Sequence, residues 1–488
     1  MLPPSFPPPY EPRRPTESIL YQVISEEVST FIYERERELC PLPKYVREEL
    51  EAFLRCGMHH YGFLRTRCPD SACGFEHAVP FSCKKRGFCS SCFAKRAAET
   101  EEHLTEELLP RAPYRQYVLT FPYGLRYRLA WDGDLLAAIH KTVIDRIYRF
   151  IRDRLSPKFR RKDLRPGSVS FLQRCGSLLN LNLHFHLLVL DGAFICRANK
   201  RPYFHKIPKP SDQQIAELLE SIIEAVALYL SKRGLLEEGL SGEASDDLVS
   251  IEAASRASVE QRIAFGERRG QRVRRLGFSR EGEAMEFNGP QCVALSGFSL
   301  HAARRVERED RQSLSQLINY MARPPISEQR LERDDSGDVV YHLKNSWSDG
   351  TRGIKLSPSE LIEKLIALIP PRSSPLVRYG GVFAPNFKRR DEIILKPGRR
   401  KKKVSRGSES SKEKPAKSSV GVGGWARLLR RVFSIDVSSC PRCGKGLEIV
   451  SAVVDPAQIR RYLEHVGMPA APPVRAGVKI RVVWEDWG

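Results

Sequence analysis

Cysteine is the residue type whose spacing most clearly indicates chemistry in this sequence. Six of the chain's twelve cysteines lie between Cys56 and Cys92. Paired thiolates on tight turns can close a tetrahedral zinc site from two separate knuckles. The pairs Cys68-x4-Cys73 and Cys89-x2-Cys92 have this character. We therefore predict a zinc site formed by Cys68, Cys73, Cys89 and Cys92.

The remaining cysteines leave alternatives open. Cys56 and Cys83 either belong to a second site or are buried thiols. Their partners in a second site would be nearby histidines, which are His59, His60 and His77. Far along the chain, Cys440-x-x-Cys443 resembles one knuckle of a zinc ribbon, but no second cysteine pair follows it. This half-site is either vestigial or completed by a partner.

A second candidate metal site lies in His184-Phe185-His186. The segment from Leu181 to Leu190 alternates so that five apolar residues share one strand face and both histidines share the other. Two imidazoles on one face can bind a divalent cation and leave coordination positions for a phosphate. The alternative is two half-exposed histidines that bind no metal, and the tripeptide alone favours this alternative.

A candidate nucleophile lies on a helix predicted from Ser313 to Ala322. Its apolar residues recur at helical spacing, and Pro324 follows shortly after. Tyr320 falls outside this apolar stripe, so its hydroxyl can face a cleft. A tyrosine beside a metal can form a covalent phosphotyrosine bond with DNA. A tyrosine at the edge of the core is the alternative.

Composition limits the class of protein. The 488 residues carry 80 Lys and Arg against 59 Asp and Glu, a net charge of +21. This excess favours a polyanionic partner such as nucleic acid or an anionic membrane surface. No uninterrupted apolar run is long enough for a membrane span, and the Pro-rich start does not read as an export signal. We expect an unexported protein.

Changes in composition divide the chain into several predicted units. Their bounds are an N-terminal arm and helix at 1–40, a zinc-binding module at 41–112, a mixed α+β core at 113–395 with a helical insertion at about 211–287, a disordered basic linker at 396–424, and a small C-terminal unit at 425–488.

Taken in order, these motifs resemble the insertion sequence 91 family of transposases. The matching stretches run from Phe81 to Cys92, from Asn180 to Gly192, from Gly297 to Ala302, from Tyr320 to Pro325 and from Val382 to Pro385. The resemblance implies a core of the HUH-endonuclease type, in which an antiparallel sheet is flanked by helices. It implies cleavage of one DNA strand with the 5′ phosphate kept on a tyrosine, and rolling-circle-like transposition.

By position, the resemblance makes His184 and His186 ligands of Mg²⁺ or Mn²⁺ and Tyr320 the nucleophile. Either Gln173 or His301 could supply a third ligand. Some family members carry a second tyrosine one helical turn earlier, where this chain has Gln316. The spacing of Cys68 and Cys73 also departs from the two-residue gap that is usual in the zinc module.

The expected partner is single-stranded DNA at element ends, together with target DNA. Arg323, Lys344 and Arg378 are predicted to neutralise its phosphates. The resemblance implies a bacterial, cytoplasmic protein associated with the nucleoid. Two other functions remain possible on the sequence: a rolling-circle replication initiator or relaxase with the same chemistry, and a zinc-dependent regulator that binds nucleic acid without cutting it.

Overall fold

The computed structural model describes residues 15–235, 249–276, 289–347, 349–372, 374–395 and 440–479. Within these ranges the chain forms ten α-helices. They are α1 (Ile19–Arg37), α2 (Lys44–Arg55), α3 (Ser90–His103), α4 (Tyr123–Trp131), α5 (Gly133–Leu155), α6 (Asp212–Lys232), α7 (Val249–Val259), α8 (Arg311–Met321), α9 (Pro358–Leu368) and α10 (Pro456–His465).

The strands alternate with these helices along the chain. They are β1 (Phe63–Arg67), β2 (Glu76–Pro80), β3 (Tyr114–Thr120), β4 (Leu164–Arg165), β5 (Gly167–Cys175), β6 (Leu181–Leu190), β7 (Gly192–Ile195), β8 (Tyr203–Lys206), β9 (Arg274–Leu276), β10 (Cys292–Leu295), β11 (Phe298–His301), β12 (Arg305–Val306), β13 (Leu331–Arg333), β14 (Val339–His342), β15 (Gly353–Leu356), β16 (Val377–Gly381) and β17 (Glu448–Val453).

A central antiparallel sheet organises the middle of the chain, in the order β10-β11-β3-β6-β5-β16, with β12 also paired to β3. The hydrophobic alternation of β6 decides how its two faces are covered. Phe185 and Leu187 pack in one cluster with residues of α5 and α6. Leu188 and Leu190 pack in another cluster with residues of α8. The sheet is therefore a layer between helices.

Smaller sheets surround this layer. The order β13-β14-β15-β9 forms one, and β4-β7-β8 forms another. A third core cluster joins α1, α2, α7 and α9 to the first of these small sheets. The mixed α+β class predicted from the sequence is confirmed. No helix in the described part of the chain is long and apolar enough to span a membrane.

Two elements that carry candidate residues agree with the sequence-based expectation. The strand predicted from Leu181 to Leu190 is β6, and the predicted tyrosine helix is α8, which begins at Arg311 and ends at Met321. The domain bounds remain predictions. The basic linker at 396–424, most of the N-terminal arm, and parts of the predicted insertion lie outside the described residues. The insertion's described part contains α6, α7 and β9.

The C-terminal residues lie against the N-terminal module. Strand β17 pairs antiparallel with β1, from Phe63 opposite Val453 to Arg67 opposite Glu448. β1 also pairs with β2, so the hairpin of the cysteine-rich module becomes a three-stranded sheet. A segment predicted as a separate unit thus shares a sheet with residues almost 400 positions earlier in the chain.

Candidate active site

His184 and His186 lie side by side on the central sheet. Both project from the face of β6 that packs towards α8, and their ring centroids are 5.0 Å apart. His184 is 9 % exposed and His186 is 3 % exposed. The two imidazoles lie on one face of β6, as predicted, because they are two residues apart in a strand.

Hydrogen bonds fix the free ring nitrogen of His184 and show which ring nitrogen of His186 has a partner. His184 Nδ1 lies 2.7 Å from the carbonyl oxygen of Asn182, which only accepts, so Nδ1 carries the proton. That leaves the lone pair on Nε2. His186 Nδ1 lies 2.9 Å from Nε2 of the Gln116 side-chain amide. His186 Nε2 is buried and has no hydrogen-bond partner among the described residues.

The surroundings keep both imidazoles neutral. Burial is the main cause that lowers the pKa of His184 to about 4, and the nearby Arg323 acts in the same direction. Burial also lowers the pKa of His186 to about 2, with His184 and Arg323 as further causes. A neutral imidazole is the form that coordinates a metal ion. The pair therefore has the protonation state of a metal site at neutral pH.

Helix α8 places Tyr320 next to this pair. The rings of Tyr320 and His186 are 5.7 Å apart and nearly perpendicular. The apolar face of α8, formed by Leu314, Leu317, Ile318 and Met321, is buried, whereas Tyr320 is 47 % exposed. The Arg323 guanidinium carbon lies 4.6 Å from the centroid of the Tyr320 ring. A hydroxyl, two imidazoles and a cation are thus close together at one surface.

The two candidates for a third ligand differ in position. Gln173 lies directly opposite His184 on β5. Its Nε2 donates a 2.7 Å hydrogen bond to the carbonyl of Met321, which leaves Oε1 as its ligand atom. His301 is aligned with His186, but β3 lies between their strands, which separates their backbones by roughly 10 Å. His301 forms no metal-sized group with the two histidines among the described residues.

A cleft of about 270 Å³ opens beside Gln173 and Arg323. Its cations come from four parts of the fold and are Arg86, Arg96, Arg174, Arg323, Arg330 and Lys344. None of the described residues that line it is Asp or Glu. The aromatic rings of Phe93, Tyr341 and Trp347 also line the cleft. The arrangement suits a polyanion with planar groups.

Arg378 does not join the other two predicted DNA-binding residues. It pairs in register with Ser170, whose next partner across the sheet is Leu187 on the α5 face. Its charge contributes to lowering the pKa of His140 on α5. Arg378 therefore lies on the opposite face of the sheet from His186, because strand alternation reverses at each residue. It does not line the cleft beside Arg323, and its role in DNA binding stays a prediction.

Sequence reasoning missed several residues of this site. Gln116 contacts His186, and its place on β3 could have been found by extending the alternation of that strand. Arg86, Arg96 and Arg330 line the cleft from distant positions in the chain. No local sequence pattern marks them, because only the folded chain brings them together.

The cysteines form two clusters, and the four preferred ligands are divided between them. Cys56, Cys83, Cys89 and Cys92 have all sulfur atoms within 4.8 Å of one another. Cys68 and Cys73 instead form such a group with Cys440 and Cys443. The predicted combination of Cys68 and Cys73 with Cys89 and Cys92 is not formed, because the β1–β2 hairpin carries the first pair away from the second. His59, His60 and His77 belong to neither cluster.

The first cluster has the dimensions of a zinc site. The Sγ atoms of Cys56 and Cys92 are 3.7 Å apart, those of Cys83 and Cys92 are 3.3 Å apart, and those of Cys89 and Cys56 are 3.6 Å apart. Tetrahedral zinc with Zn–S bonds of about 2.3 Å requires sulfurs about 3.8 Å apart. Three of the four thiols are buried, as expected for a structural site closed to solvent.

Comparison with known proteins shows to which family the chain belongs. Residues 27–121 match the family model of the transposase zinc-binding domain of the insertion sequence 91 type. Residues 167–391 match the model of the transposase family Y2_Tnp. These residues include β5, β6 and α8. Searches of curated proteins and of solved structures gave no match. The two matches, in this order and over the site described above, identify the chain as a member of the insertion sequence 91 family of transposases.

Proposed function

We propose that this transposase nicks and rejoins single-stranded DNA through a covalent 5′-phosphotyrosine bond, as an HUH-type endonuclease. One observation carries the proposal. The half-exposed ring of Tyr320 lies 5.7 Å from the ring of His186, whose buried Nε2 has no partner among the described residues. A nucleophile next to an unsatisfied metal ligand supports phosphodiester chemistry rather than a packing role.

The residues fit a divalent cation. His184 and His186 would hold it through Nε2, because their Nδ1 atoms lie against Asn182 and Gln116. For His186 this requires the oxygen of the Gln116 amide to face Nδ1, which then keeps its proton. Gln173 would add its Oε1. Bound Mg²⁺ or Mn²⁺ would polarise the scissile phosphate.

Tyr320 performs the covalent step in this proposal. Its Oη attacks the scissile phosphorus and forms a new P–O bond, while the bond from phosphorus to the 3′ oxygen breaks. The phenolic proton passes to solvent, and the 3′ oxygen leaves and takes up a proton. The 5′ phosphate stays on Tyr320, so the energy of the broken bond is retained without ATP. Arg323, stacked on the ring, faces the negative charge of the phosphate.

Rejoining reverses the same step. A 3′ hydroxyl of another strand attacks the phosphotyrosine, restores a phosphodiester and releases Tyr320. The single tyrosine of this chain would serve both transfers, since Gln316 occupies the position one turn earlier. A 3′ end freed at each nick can prime synthesis, which is the basis of rolling-circle-like transposition between element ends and target DNA.

The cleft and the zinc module support a role in strand binding. Cations without neighbouring carboxylates attract the backbone, and aromatic faces stack with unpaired bases. Arg86 and Arg96 of the zinc-binding domain line this cleft together with Arg323 and Lys344. Zinc held by Cys56, Cys83, Cys89 and Cys92 would fix the loop that carries Arg86.

The test is covalent capture of DNA. Purified protein is mixed with a 5′-extended single-stranded oligonucleotide from an element end and Mn²⁺ or Mg²⁺, then run on a denaturing gel. The wild type should yield a protein–DNA adduct that Tyr320→Phe lacks. Tyr203→Phe is the matched control, because Tyr203 has a similar exposure of 46 % and lies on the separate β4-β7-β8 sheet.

Three outcomes of this experiment are informative. An adduct that persists in Tyr320→Phe would remove Tyr320 from the mechanism. DNA binding without any adduct, for every end-derived oligonucleotide and both ions, would favour the zinc-dependent regulator. An adduct that His184→Ala and His186→Ala both abolish would support the metal assignment as well.

A further inference from the structure

Four cysteines from opposite ends of the chain meet in a second cluster. Cys68 Sγ lies 3.4 Å from Cys443 Sγ, and Cys73 Sγ lies 3.6 Å from Cys440 Sγ. All four sulfurs lie within 4.8 Å of one another. This spacing matches the sulfur separation of about 3.8 Å in a tetrahedral zinc tetrathiolate. The half-site that the sequence offers at Cys440 and Cys443 is completed within the same chain.

The two halves of the cluster close with equivalent hydrogen bonds, although four residues separate one cysteine pair and two separate the other. In each, the backbone N–H of the first cysteine donates to the carbonyl two residues after the second: Cys68 to Phe75 at 2.9 Å, and Cys440 to Lys445 at 2.7 Å. A glycine with positive φ follows each second cysteine, at +62° for Gly74 and +73° for Gly444. Left-handed backbone at this position favours glycine. Two equivalent knuckles facing each other are the arrangement of a zinc ribbon.

Contacts around the cluster hold the knuckles together but bury little surface. Lys445 Nζ pairs with Asp70 at 2.8 Å, across the two halves. The apolar contacts are small. Leu447 is buried beside the cysteines, and a second cluster has four buried residues, Phe63, Val453, Ile459 and Leu463. Of the six residues of β17, Val453 alone is fully buried. A strand added to a two-stranded hairpin with so little apolar burial is marginally stable by itself.

We propose that Cys68, Cys73, Cys440 and Cys443 bind a second zinc ion, which clasps residues 440–479 onto the zinc module. The donor set is all thiolate, which selects zinc among the common divalent cations of the cell. The metal adds stability that the small apolar clusters of this sheet do not supply. The clasp is separate from the nuclease chemistry, so it stands or falls independently of the proposed function.

Metal content tests the site directly. The purified wild-type chain should contain two zinc ions per polypeptide. The double substitution Cys440→Ser with Cys443→Ser should contain one, and so should Cys68→Ser with Cys73→Ser. Cys196→Ser is the matched control, since this half-buried cysteine belongs to neither cluster, and it should retain two. One zinc in the wild type, or two in either double variant, would overturn the proposal.

Hydrogen exchange tests the clasp and verifies that the variants fold. In the Cys440→Ser, Cys443→Ser chain, the amides of β17 should exchange at least ten-fold faster than in the wild type. The amides of β6 should keep their protection, which shows that the central sheet is intact. Unchanged protection of β17 in a chain that has lost one zinc would overturn the clasp.

Discussion

Burial controls the charge of the histidines that face the central sheet. His184 and His186 have lowered pKa values because their rings are buried and Arg323 lies nearby. His140, on α5, stacks edge-on against Phe185 with ring centroids 5.5 Å apart, and burial lowers its pKa to about 4. Protonation of His140 therefore costs more free energy in the folded state, where the ring is buried, than in the unfolded chain.

His140 should therefore make stability depend on pH. Below its ordinary pKa of 6.5 the unfolded chain takes up a proton, whereas the folded chain does so only near 4. Stability is lost as pH falls through this window. Between pH 7 and pH 5 the wild type should lose about 2 kcal/mol of unfolding free energy more than His140→Leu does.

Denaturant unfolding of both proteins at the two pH values measures this difference. His184 and His186 are present in both chains, so their contributions cancel. A pH-independent difference between wild type and His140→Leu would show that His140 titrates alike in the folded and unfolded chains.

At the level of elements, α8 determines where the proposed nucleophile Tyr320 lies, so the stability of this helix can be tested at its N-terminus. Asp310 caps the helix by accepting a 2.9 Å hydrogen bond from the backbone N–H of Ser313. Asp310→Ala should reduce the free energy of unfolding by about 1 kcal/mol, because it leaves a helix N–H unsatisfied. Asp310→Asn keeps the acceptor oxygen and should remain within a few tenths of the wild type.

Thermal or denaturant unfolding of the two variants makes the comparison. Since α8 orders Tyr320, the Ala variant should also form less covalent adduct on a denaturing gel. Equal stability of the Ala and Asn variants would mean that the hydrogen bond to Ser313 contributes nothing measurable to the helix.

The elements that carry strong hydrophobic periodicity could be predicted from the sequence. Strand β6 and helix α8 have apolar stripes of period 2 and 3.6, and each orients its functional residues by local geometry alone. The expectation that Tyr320 lies close to His186 came from the family resemblance and not from hydrophobic periodicity. Their ring contact depends on a fold in which α8 packs on β6.

The zinc ligands show where sequence reasoning fails. Cysteine spacing indicates how many knuckles exist, but not which knuckles face each other. Cys73 and Cys440 meet because β17 pairs with β1, across 367 residues of chain. Strand pairing over such a separation has no local signal. The sheet face on which Arg378 lies was also not predicted, because a shift of one residue along β16 exchanges the two faces.

Over the whole molecule, the excess positive charge can attract a polyanion only where no carboxylates lie nearby to neutralise it. Many surface arginines are paired with acids, as Arg268 is with Glu360 and Arg274 with Asp338. The cleft beside Gln173 and Arg323 instead collects cations from the zinc module, the central sheet, the segment after α8 and the loop after β14, with no acid among its described lining residues. A strand bound there would contact all four parts at once, next to the end of the helix that carries Tyr320.

Lys344 and Arg378 then provide a matched pair, because each substitution removes one positive charge and only Lys344 lines the cleft. Each phosphate contact of a single strand contributes roughly 0.7 to the slope of log affinity against log salt. Lys344→Gln should reduce that slope by about this amount, whereas Arg378→Gln should leave it unchanged. Fluorescence anisotropy of a labelled oligonucleotide at several NaCl concentrations, in a Tyr320→Phe background to prevent cleavage, measures both slopes. Equal effects of the two substitutions would mean that net charge, rather than this cleft, attracts the strand.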